Sequence, residues 1–65
     1  MPTTGEVLTA AREARDLYRR EVADKVGVSD VTVGLWEKDR HRPRREHARA
    51  LESFFDLPPR SIPRY

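Results

Sequence analysis

Arginine side chains carry most of the chemistry this chain can offer, and they are unevenly spread. Of 65 residues 13 are basic and 11 acidic, a net charge of +2, with eleven arginines against two lysines. Between Lys38 and Arg49, six basic residues (38, 40, 42, 44, 45 and 49) stand against two acidic ones, Asp39 and Glu46. Taken alone, such a run is a solvated loop and helix face. Guanidinium groups also pair bidentately with phosphate, and a cluster of them is the electrostatic footprint of a phosphate-binding surface. Other chemistries find little support. Cysteine is absent, which excludes disulfides and thiolate metal sites. His41 and His47 are too few for an ordinary metal centre and sit among arginines that repel a cation, so neither metal nor cofactor is expected. No nucleophile or histidine partner for Glu37 is visible in the pattern, and the chain reads as a non-enzyme.

Two short helices placed just before the basic run give it context. Val22, Ala23 and Val26 recur at helical spacing. Gly27 falls where a helix end needs a left-handed residue, and Val28 plugs the core from the turn. Ser29 is a helix N-cap, after which Val33 and Trp36 point back to the preceding helix. This is the layout of a helix-turn-helix, whose second helix can enter the DNA major groove. The basic run then begins where phosphate contacts would be needed.

The flanking segments complete a bundle. Thr3-Thr4-Gly5-Glu6 matches a capping box. A first helix is predicted over about residues 5–15, with Val7, Leu8, Ala11 and Ala14 inward and Arg12, Glu13 and Arg15 outward, although Arg12 also suits a pairing with Glu37 across the bundle. Further helices follow over about 19–26, 30–38 and 44–55, the last after Pro43 and closed by residues 56–59, and the tail over 60–65 holds one turn around Ile62 or lies extended. No stretch alternates with a strand's period, so the expected fold is all-α: one domain, a compact bundle of four to five short helices. No membrane-length apolar run and no signal-peptide pattern is present, which leads to the expectation of a cytoplasmic protein. Phe54, Phe55, Leu57, Ile62 and Tyr65 exceed what the end of so small a core needs, and part of that set is expected to form a two-fold dimer interface.

The register Val26-Gly27-Val28-Ser29, Thr32-Val33, Trp36-Glu37, with Leu17 and Val22-Ala23 before it and Pro43 after, resembles the Cro/phage-repressor (Xre-type, lambda-repressor-like) helix-turn-helix family over about residues 8–57. That resemblance implies a domain that binds double-stranded operator DNA, usually as a homodimer. It assigns base reading to Asp30, Val31, Gly34 and Leu35. It assigns phosphate or backbone contacts to Arg19, Arg20, Ser29, Thr32, Lys38, Arg40 and Arg42, with Arg44 reaching toward the minor groove. This chain departs from the family pattern in carrying Arg19 where a Gln is common, Tyr18 in place of a Ser or Thr cap, and Gly34 and Leu35 where polar residues are usual. Val31 and Leu35 would then pack on thymine methyls and Asp30 would accept from a cytosine amino group.

A Cro-type repressor of a bacterium or its phage follows, binding a palindromic operator as a dimer with no small-molecule effector. Two alternatives stand beside it. One is an antitoxin or restriction-controller regulator with a protein partner on the C-terminal patch. The other is a helix-turn-helix scaffold turned to protein interaction.

Overall fold

The first helix starts where local hydrogen bonds cap it. Thr3 Oγ1 accepts the Glu6 N–H (3.1 Å) while Glu6 Oε1 accepts the Thr3 N–H (2.8 Å). α1 then runs Thr4–Ala14 and buries Leu8. α2, Arg19–Val26, lacks a side-chain cap from Tyr18; instead Glu21 Oε1 accepts the Tyr18 N–H at 2.8 Å. α3, Asp30–Glu37, is capped by Ser29, whose Oγ accepts the Thr32 N–H at 3.2 Å. α4 spans Arg45–Phe54, with Arg44 at its N-cap. This computed structural model describes residues 1–64, and among them these four helices are the regular elements. Residues 56–64 are irregular, and no fifth helix occurs among the described residues.

All four helices stop in the same way. A left-handed residue follows each: Asp16 (φ 54°), Gly27 (86°), Asp39 (59°) and Asp56 (56°). The next N–H reaches back five positions, from Leu17 to Arg12 O (3.1 Å), Val28 to Ala23 O (3.0 Å), Arg40 to Leu35 O (2.9 Å) and Leu57 to Glu52 O (2.7 Å). These are the long bonds of the Schellman motif. Leu17, Val28 and Leu57 then tuck against the core, as the motif's apolar contact requires.

α3 packs against both α1 and α2, and α2 also packs against α4. The shared core contains Leu8, Val22, Ala23, Val26, Val33, Trp36, Ala48, Leu51, Phe55 and Ile62. Three expectations change here. Ala14 is exposed, because α1 turns its Leu8 side inward and ends there. Arg12 is half-buried beside Glu37, which is the pairing across the bundle and not an outward charge. Phe55 and Ile62 are only 3% and 2% exposed, so they complete the core instead of standing free for a second subunit.

The start of α1 abuts the end of α3. A Cβ at Gly5 would collide with the Glu37 carbonyl and lie 2.7 Å from its carbon, so only glycine allows this approach. The Asp39 carboxylate spans the junction, accepting from the Gly5 N–H (2.9 Å) and the Thr3 hydroxyl (2.6 Å). Those two bonds, Thr3 first, hold the Asp39 carboxyl below its ordinary range.

Candidate nucleic-acid interface

One buried carboxylate ties the end of α3 to α1 and to the start of α2. Glu37, at the end of α3, keeps 2% of its side chain exposed and accepts from Arg12 Nε (2.7 Å) and Arg19 Nε (2.9 Å). Burial by itself pushes this carboxyl up, but hydrogen bonds from Arg12 and then Arg19, with their charges, outweigh it and hold the group below its usual range. The same bond to Glu37 raises Arg12 in turn. Arg12 Nη1 also donates to Leu17 O at 2.9 Å, which ties the α1–α2 connection to the pair.

Arg19 consequently lies along α3. Its guanidinium covers Gly34, where an added Cβ would sit 3.6 Å from Nη1. Gly34 is therefore buried under Arg19, while the Arg19 side chain itself stays 42% exposed. The other positions expected to read bases are open to different degrees. Val31 is 68% exposed, Asp30 is exposed and Leu35 is half-buried.

Basic concavities flank α3 on two sides. Tyr18, Arg19, Arg20 and Asp30, with Arg12 behind them, line the first. There the Arg20 guanidinium lies 5.9 Å from the Tyr18 ring centroid, a cation–π distance. Thr32, Arg42 and Arg44 line the second, joined by Trp36, His41, Arg45 and His47. The Ser29 and Thr32 hydroxyls are 3.0 Å apart and engage each other, so Ser29 serves the cap before any ligand. Lys38 and Arg40 are exposed beyond α3 and line neither concavity. Among the described residues, Arg20, Arg40, Arg42 and Arg44 have no carboxylate within ion-pairing distance.

The family model described as Helix-turn-helix matches residues 8–62. The chain belongs to this helix-turn-helix family. Among solved structures it is similar to the P22 c2 repressor in complex with synthetic operator 9T, at 27% identity and a TM-score of 0.87, covering 91% of this chain and 89% of that one. No curated protein matches. The fold is thus a repressor-like helix-turn-helix fold of a DNA-binding family. Among the described residues no helix is long and apolar enough to cross a membrane.

Three side chains of this helix-turn-helix surface were not singled out from sequence as site residues. Arg45 and His47 enter the second cleft from the first turn of α4, which begins two residues after the buried Pro43. His47 is half-buried, with its ring 5.7 Å from that of Trp36. Tyr18 is 70% exposed beside Arg20. The available signal was the aromatic residue standing where a hydroxyl cap is usual. Of the apolar set expected at an interface, Phe54 and Leu57 are half-buried and Tyr65 lies outside the described residues.

Proposed function

We propose that the chain is a sequence-specific DNA-binding transcriptional regulator of the Cro type, a repressor that occupies an operator and blocks polymerase. The observation that carries this reading is the side of α3 with exposed Asp30 and Val31 and half-buried Leu35, set between two arginine-lined concavities. A helix in the major groove needs this combination: side chains free to meet base edges and cations free to meet both flanking phosphate strands. The likeness to a repressor bound to a synthetic operator supports it.

In this reading Val31 and Leu35 meet thymine methyls and Asp30 a cytosine amino group. Arg20, Thr32, Lys38, Arg40 and Arg42 hold phosphates, and Arg44 approaches the minor groove. Arg19 contributes the part of its guanidinium that Glu37 leaves free. Specificity then leans on methyls and on DNA shape more than on bidentate base contacts. No cofactor is required.

One molecule measures 23 × 21 × 21 Å, less than the ~34 Å between successive half-sites. An inverted-repeat operator is therefore read by two copies, one per half-site, assembled as a dimer on the DNA. Selection from randomised duplexes at moderate salt tests this directly. Enrichment of an inverted repeat with half-sites one turn apart is expected. Enrichment of a single half-site removes the paired operator, and no enrichment favours the protein-interaction alternative. In the same assay Arg42→Ala should weaken every duplex and lower the salt slope by about 0.9. Leu35→Ala should instead change which sequences win.

A further inference from the structure

A third concavity runs along α4 from Arg45 to Ser53, where the C-terminal segment folds back. Glu52 builds it. This carboxylate, 5% exposed, accepts the Ile62 N–H at 3.1 Å and pairs with Arg64. Ile62 is thereby seated in the core, and the segment is held alongside α4 with a gap between them. The gap encloses about 830 Å³, room for several side chains. Arg45, Arg49, Arg60 and Arg64 stand around it, with Leu57 and Pro63 among its apolar walls.

Charge decides what fits. Glu52 is the acidic lining residue and is already taken by Arg64 and the Ile62 N–H. Among the described residues Arg45, Arg49 and Arg60 have no ion-pair partner. A second copy docked here by two-fold symmetry would bring like-charged arginines face to face, which is repulsive. A duplex would present its phosphates to the arginines but keeps its thymine methyls within the major groove, which leaves Leu57 and Pro63 without an apolar partner. A polypeptide with carboxylates flanking apolar side chains satisfies both.

We propose that the groove between α4 and the C-terminal segment docks an acidic, leucine-bearing segment of a partner protein. Arg45 lines both this groove and the cleft beside α3, whereas Arg49, Arg60 and Arg64 line the groove alone, so the two surfaces adjoin along α4.

The test uses a fluorescein-labelled short peptide rich in glutamate and carrying leucines, titrated by anisotropy into the full chain at low salt. The Arg60→Gln/Pro63→Ser double variant, altered only at residues that line this groove and not the cleft beside α3, should bind it at least about tenfold more weakly while keeping the duplex affinity of the parent. A glutamate-only peptide should bind more weakly than the leucine-bearing one. Amide NMR shifts on peptide addition should fall on α4 and residues 57–64, a readout that does not depend on the variant's folding. Equal binding by parent and double variant overturns the proposal, as does a loss caused equally by Arg42→Ala. Loss of duplex affinity in the double variant would give the groove to DNA, and a parent dimer abolished by Arg49→Glu would give it to a second copy. Either result overturns it, and neither depends on whether an operator has been found.

Discussion

Gly5, packed against the end of α3, and Gly34, within α3, are in opposite situations, and alanine separates them. At Gly5 the added methyl meets the Glu37 backbone, so α1 must move; Gly5→Ala should destabilise by about 1–3 kcal/mol, the usual cost of overpacking. At Gly34 the methyl would make ordinary contact with Arg19, and a helix interior prefers Ala by roughly 1 kcal/mol. Gly34→Ala should therefore raise the urea midpoint while Gly5→Ala lowers it. Glu37 carries the pH dependence. Its carboxyl titrates lower in the folded than in the unfolded chain, so its contribution is complete above the ordinary value of 4.5 and is lost as pH falls through the depressed folded value. Stability measured by urea should fall below about pH 4.5, with much of that slope missing in Glu37→Gln. That variant also leaves Arg12 and Arg19 without their anion, at a cost of about 3 kcal/mol, the low end for a broken buried pair.

The helices are bounded by short-range bonds, and their C-terminal stops differ in one informative respect. Gly27 takes the left-handed conformation freely, whereas Asp16, Asp39 and Asp56 hold it as non-glycine residues. Asp16 and Asp56 make no side-chain bond that offsets this among the described residues. Asp16→Gly and Asp56→Gly should each stabilise by about 0.5–1 kcal/mol in thermal melts. Asp39→Gly should not, because it removes the acceptor for Thr3 and Gly5 at the start of α1. A uniform gain in all three variants would show that the α1–α3 bridge contributes nothing. At the end of α4, Arg15 donates to Phe55 O at 3.0 Å and its guanidinium lies 5.2 Å from the Phe55 ring centroid. That contact joins the helices at the two ends of the chain.

For the molecule as a whole, the sorting of the C-terminal apolar residues governs assembly. With Phe55 and Ile62 in the core, Phe54 and Leu57 leave only partial apolar surface for self-association. Stable dimers usually bury roughly 800 Å² per partner. The chain should accordingly sediment as a monomer in solution and reach two copies only on a duplex containing an inverted repeat. A dimer in sedimentation at micromolar concentration without DNA would contradict this.

Much of the architecture is legible along the chain because the bonds that set it span five residues or fewer. Thr3 with Glu6, Ser29 with Thr32, and the left-handed Gly27 place the ends of α1, α2 and α3 within a residue or so. The helical spacing of Val22, Val26, Val33 and Trp36 assigns the core side. The pairing of Arg12 with Glu37 was foreseeable from charge and register, but the sharing of that carboxylate with Arg19, and the burial of Gly34 beneath it, was not. Nor was the division of the apolar end between core and surface, which depends on Glu52 drawing the chain back through Ile62 and Arg64. These contacts join residues distant in sequence, and their partners are selected by which groups packing brings together and strips of water. Local propensity contains no record of that choice.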